Sequence, residues 1–134
     1  MMDEPTTSGI TLMRDYLLPN LLQEDESPIL YWAGKELASQ FPQTDFSDVA
    51  SFFDTSEFGE LLEVKLKREK IILQLSGNIV YNRMQELKKP SFDLEAGFLA
   101  KQYELIHPDT FAEVTSSITS NKSVEFTIHI ESNA

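Results

Sequence analysis

A chain of 134 residues, 41% hydrophobic and 25% charged, fits one globular domain able to bury roughly two-thirds of its unfolded surface. Its net charge of −11 argues against nucleic acid or an anionic membrane as partner, because both call for a basic footprint. The absence of cysteine excludes a disulfide scaffold, thiolate metal sites and a cysteine nucleophile, and fits a reducing compartment.

Residues 1–9, acidic and polar, read as a flexible tail ahead of a single domain over 10–134, and they lack the basic start and apolar core of a signal peptide. Leu12, Met13, Tyr16 and Leu17 recur at helical spacing, with Pro19 breaking or kinking the helix. Acidic residues 24–26 read as a loop. Ser27-Pro28 then starts a helix that runs to about Gln40 and stops before Pro42. Ser47 is the expected cap of a short helix to Asp54.

The period then changes. Leu62, Val64 and Leu66 alternate with Glu63, Lys65 and Lys67, which predicts a strand with one wet face. Ile71, Leu73 and Leu75 repeat the alternation beyond a charged turn, so the pair reads as an antiparallel hairpin. Ser76-Gly77-Asn78 starts a helix to about Leu87, and Ser91 or Asp93 starts the longest central one, bounded by Pro108. Val124, Phe126, Ile128 and Ile130 mark a last strand. Its expected partner spans 115–119, with a helical start near Asp109 as the alternative. The layout predicts an α+β domain, with a four-stranded antiparallel sheet of two hairpins packed against several helices. No apolar run approaches the ~20 residues that cross a bilayer, so no membrane insertion is expected, and a cytoplasmic location is.

Within the central helix, Leu94, Phe98 and Leu105 form one apolar stripe and Leu99, Tyr103 and Ile106 a second, with Ala96, Gly97 and Ala100 between them. A mid-helix glycine costs about 1 kcal/mol relative to alanine, and close approach of another backbone is the natural compensation. Gly34 and Ala38, one turn apart in the 28–40 helix, supply the complement, so these two helices are expected to pack together. Glu95 lies on the same helix near Gln102. It reads either as a first-turn glutamate, partly solvated and favoured by the helix dipole, or as a buried acid partnered by Lys35 or Arg83. Tyr31 and Trp32 point in different directions; one of them can line a pocket or an interface.

Two segments, LLPNLLQEDESPILYWAGKELASQFP and LSGNIVYNRMQELKKPSFDLEAGFLAKQ, resemble the YslB-like family of small bacterial proteins of unknown function, and the closing VEFTIHIE falls at that family's last strand. The resemblance covers about 14–131 and rests on YWAGKELA paired with FDLEAGFLA. It implies a fold like that of TRAPP subunits and 4-vinyl-reductase-type ligand-binding domains, relatives of haem-based nitric oxide sensors and mostly dimeric. The function so implied is a non-catalytic binding or assembly module, a homodimer taking an apolar small molecule or a protein partner, with no cofactor. Candidate ligand or interface residues are Tyr31, Trp32, Gly34, Lys35, Ala38, Arg83, Glu95, Gly97, Phe98 and Ala100. The competing readings are an enzyme with an acid–base pair around Glu95, and a haem or tetrapyrrole sensor using His107. No calcium-loop spacing, phosphate-binding glycine loop or nucleophile elbow is present.

Overall fold

A computed structural model describes residues 8–132. The expected tail lies outside the described residues as far as residue 7; Ser8 instead caps the first helical turn, its hydroxyl accepting from the Thr11 amide. From there an N-terminal arm runs through helical Gly9–Thr11, a π-helical turn over Leu12–Leu17 and helical Leu18–Leu22. Pro19 therefore does not break the helix. It sits in the first turn of the Leu18–Leu22 piece, where a missing N–H is tolerated. The break comes at Gln23, with φ of 51°. The acidic residues that follow are helical too, Gln23–Asp25 as a 3-10 turn running into α1 (Glu26–Gln40).

The remaining elements are α2 (Phe46–Thr55), β1 (Glu60–Leu66), β2 (Lys70–Ser76), α3 (Asn78–Glu86), α4 (Asp93–Ile106), β3 (Thr110–Ile118) and β4 (Val124–Ser132). The α2 cap is Asp45, whose carboxylate accepts from the Asp48 amide at 2.9 Å, and not Ser47. Residues from Thr110 are strand, with Asp109 at φ 75° turning the chain, so the helical alternative there does not form. The sheet is a single antiparallel one in the order β1-β2-β4-β3, two hairpins joined through β2 and β4.

One strand face differs from its sequence reading. Leu62, Val64 and Leu66 are exposed, and Leu61 is the buried residue of β1. A bulge between Glu63 and Lys65 shifts the register, so Leu61 and Glu63 share a face with Leu75 and Leu73 before the alternation slips. Leu62, ahead of the bulge and opposite Gln74, is on the outer face, whereas Leu66, beyond it and opposite Ile71, borders the inner one, so no strict alternation fits the whole strand.

The core lies between the sheet and α4. Leu73, Leu75, Val124, Phe126 and Ile128 come from the central strands, and Ala96, Phe98, Leu99 and Ala100 from the helix. Phe98 stacks on Phe52 of α2 with centroids 4.9 Å apart. Helix α1 covers α4 from outside, and glycines set their separation. A Cβ on Gly97 would overlap the Tyr31 carbonyl oxygen, and one on Gly34 would overlap that of Leu94 and lie 2.7 Å from the Phe98 nitrogen. The expected pairing of the two helices is thus what the fold contains. The last exposed amides of the β3 edge near this layer are also occupied. Tyr31 Oη accepts from the Val114 N–H at 3.1 Å, and Glu104 Oε2 from the Ala112 N–H at 2.9 Å.

Candidate functional site

Two places concentrate chemistry. The first is a buried charge cluster where the arm meets the last turn of α3 and the first turn of α4. In a π-helical turn the chain winds more widely than in an α-helix, so neighbouring residues diverge less in direction. That lets Arg14 and Asp15, successive residues, both reach inward. Arg14 Nη2 donates to Glu95 Oε1, and Arg83 clamps Asp15 with Nε at 3.1 Å from each carboxylate oxygen and Nη2 at 2.9 Å from Oδ1. Arg83 Nη1 lies 3.8 Å from Glu95 Oε2. Both guanidinium groups also donate to the Ser91 carbonyl, at 2.7 Å from Arg83 and 3.3 Å from Arg14. The Arg83 guanidinium sits 4.6 Å over the Phe92 ring.

Glu95 is 0% exposed, so the partly solvated first-turn glutamate is corrected to a buried acid. Of its two expected partners Arg83 is present, whereas Lys35 stands 5.1 Å over the Tyr31 ring and takes no part. A carboxylate enclosed between two arginines balances charge in a place cut off from solvent. Burial, and after it the Arg14 charge, pull the Arg83 pKa below its ordinary value.

Glu26, at the start of α1, sits near the same cluster. Burial first, then the Asp93 charge, raise its pKa above the usual 4.5. An acid with a higher pKa folded than unfolded favours folding below pH 4.5. That contribution is lost as pH rises through the raised value. Glu26→Gln is therefore expected to raise the melting temperature at about pH 7 and leave it unchanged near pH 4. A variant no more stable than its parent at neutral pH contradicts this.

Sequence reasoning missed Arg14 and Asp15. A signal existed: they are the only charged residues from Ser8 to Leu22, and a lone charge pair inside an apolar helical run has to face something. A polar cleft of about 340 Å³ between the arm and α3 touches the cluster through Asp15 and Arg83. Glu95 does not line it.

The second place is a cleft of about 290 Å³ between α4, α2 and the inner face of the sheet, lined mainly by Phe46, Val49, Leu66, Ile71, Leu73, Leu99, Tyr103, Ile106 and Ile128. Gln102 lies at its wall with its amide spent, donating to the Phe41 carbonyl and accepting from the Gln43 amide. Glu63 and His107 provide its ionisable groups. His107 ends α4 with its ring 4.4 Å from that of Tyr103.

Most of the other expected ligand or interface residues belong to the interior. Gly34, Ala38, Gly97, Phe98 and Ala100 are consumed within one chain, in the α1–α4 contact and the core, so they are not available to a second copy. Tyr31 is partly buried against the same layer. Trp32 alone of the set faces solvent. Among the described residues no helix is long and apolar enough to cross a membrane.

An open four-stranded antiparallel sheet with helices packed on it defines an α+β domain, and its fold is similar to those of an H-NOX protein and a TRAPP subunit. A variant of the Fe(II) unliganded H-NOX protein from K. algicida superposes with a TM-score of 0.58 at 10% identity, covering 98% of this chain and 76% of that one. A trafficking protein particle complex subunit 3 from Naegleria fowleri, covalently bound to palmitic acid, gives 0.50 at 12% identity over 90% and 86%. Residues 7–129 match the family described as protein of unknown function (DUF2507), and the chain belongs to that family. The uncharacterized protein YslB of Bacillus subtilis (strain 168) is 40% identical over 102 residues, 76% of this chain and 68% of its own length.

Proposed function

We propose that the protein is a cytoplasmic, non-catalytic binding and assembly module, which holds a small apolar ligand in the cleft beneath α4 and works as a pair of copies. The observation that carries the ligand half is the cleft itself, walled by aliphatic and aromatic side chains and bordered by Glu63 and His107. Its volume suits on the order of ten methylene groups, each about the ~30 Å³ share of a water molecule. The palmitic acid bound by the trafficking-complex subunit supports a chain-like occupant. With no cysteine in this chain, a thiol-linked acyl group is not open to it.

The non-catalytic reading is supported by the enclosure of Glu95. An acid held by two arginines and cut off from both clefts has no substrate within reach, and general acid–base chemistry needs contact with the reacting proton. Tetrapyrrole binding is not favoured. The cleft is at the low end of the ~300–1,000 Å³ range of sites for drug-sized ligands, too small for a macrocycle. His129 lies on the outer, polar face of the sheet, and the His107 ring rests on Tyr103.

Decanol is the probe of choice. Titration by calorimetry is expected to give one site per chain, and Ile106→Trp, which fills the cleft, is expected to weaken binding at least about tenfold, worth ~1.4 kcal/mol. Folded protein that takes up no decanol, or an Ile106→Trp variant that binds it unchanged, sinks the ligand reading.

A further inference from the structure

The arm's two charged residues both turn inward, which leaves its outer side uncharged from Ser8 to Leu22. On that side Ile10, Met13, Leu17 and Leu21 follow one another at spacings of four or three, between 48% and 66% exposed, with Leu12 beside them and Tyr16 at the edge towards the polar cleft, each about half exposed. One residue in four of the whole chain is charged, so a fifteen-residue helical stretch with no outward charge is a marked departure. Among the described residues nothing covers these side chains, although the same arm is pinned firmly by Arg14 and Asp15. Exposed apolar rows on a well-anchored element mark an interaction surface.

We infer that this outer face of the arm is where two copies of the chain meet, arm against arm about a twofold axis. The inference rests on the assembly half of the reading above and is independent of the ligand cleft. Charge selects the occupant. With a net charge of −11, two copies meeting across most surfaces would bring like charges together, whereas the arm face puts none opposite another. A cationic partner would draw nothing from an uncharged strip and would be expected on the acidic surfaces instead. An isologous contact asks only that one patch match itself, and a row of aliphatic side chains with one tyrosine can interdigitate with its own copy. Six side chains offering on the order of 100 Å² each supply ~600 Å² per copy, close to the ~800 Å² per partner of a standard interface.

The π-helical turn helps to clear the face, since its successive side chains diverge by less than the about 100° of an α-helix, which brings Arg14 and Asp15 nearer to one side of the arm. Burying both ties the arm down and clears its outside of charge in one step.

The full chain is tested by analytical ultracentrifugation over a range of concentrations. The expected mass is twice the 15.3 kDa of one chain, and the double variant Met13→Asp/Leu17→Asp is expected to sediment at one chain mass with unchanged far-UV circular dichroism. Because the chain has no cysteine, Leu17→Cys gives a second readout on folded protein: oxidation is expected to cross-link it far faster than the control Ser51→Cys on α2. A parent that stays monomeric throughout overturns the assembly reading and this interface together. A dimer that survives the aspartates, or whose Leu17→Cys variant cross-links no faster than the control, overturns the interface and leaves the assembly reading standing.

Discussion

Gly97→Ala is expected to destabilise the protein by about 3 kcal/mol or more, at the upper end of what overpacking costs. Two effects oppose each other at this position. Alanine is the better helix former by about 1 kcal/mol, which by itself would stabilise α4. Against that, the new methyl would overlap the carbonyl oxygen of Tyr31 and lie 2.8 Å from its carbonyl carbon. Those atoms are backbone of α1 and cannot swing aside as a side chain tip does, so the two helices must part. Parting them opens the layer that also holds Ala38, Ala100 and Phe98. The clash wins. Thermal melting followed by circular dichroism should show a loss on the order of 10 °C for a chain of this length. Gly9→Ala, where an added Cβ meets nothing within 4 Å, is the matched control and should be neutral or slightly stabilising. A Gly97→Ala protein as stable as its parent would show that α1 and α4 are not in backbone contact. Because the glycine serves contact inside one chain, its loss should act on stability before it acts on assembly.

Glu95→Ala is expected to cost about 3–5 kcal/mol, the range for removing one partner of a buried ion pair. Among the described residues the carboxylate is the only negative group within ion-pair distance of Arg14, and it faces Arg83 as well. Without it two guanidinium groups lie close together, and Asp15, bonded to Arg83, is the one carboxylate left in an ion pair with them among the described residues. Arg83→Ala should cost a similar amount, since it strands Asp15 and leaves Arg14 as the one arginine on Glu95 and on the Ser91 carbonyl. The double variant should cost less than the two losses added, with an interaction energy of at least about 1 kcal/mol, as residues of one network do not act independently. Urea unfolding measures all three. Additive losses, or a Glu95→Ala variant within 1 kcal/mol of the parent, would mean that the cluster is loosely packed and solvated.

These two expectations stand on different footing in the sequence. Gly97 is legible there, because a helix-weakening glycine flanked by Ala96 and Ala100 needs a compensating close neighbour, and Gly34 with Ala38 is the only comparable strip. Glu95 is legible only as a question. Its burial depends on Arg14, about eighty residues away, and no local pattern joins the two. Arg83 could be named as a partner from the need for a counter-charge, yet the same reasoning named Lys35, whose long stem instead takes it over Tyr31. A charge requirement selects residue types and leaves the identity of the partner to geometry.

The strands divide in the same manner. Apolar alternation located β2 and β4 and their inward faces, as Leu73, Leu75, Phe126 and Ile128 confirm by burial. The same alternation fitted β1 only beyond its bulge, since a bulge is a property of pairing with β2 and leaves no mark in the strand's own residues. Short-range physics fails similarly at Pro19. Its ring would be costly in an isolated helix, but it falls in the first turn of a new piece once the π-helical turn has ended.

What the amino-acid sequence determined by itself is the α+β class, the order of elements, the two hairpins and the glycine-mediated meeting of two helices. All of these follow from side-chain periodicity and backbone sterics, which act over a few residues. Tertiary structure alone decided that Arg14, Asp15, Arg83 and Glu95 form one buried cluster, that an apolar cleft is left open beneath α4, and that the arm keeps an uncharged apolar face outside. Those depend on which distant surfaces come together, and on whether the atoms brought there fill the space between them.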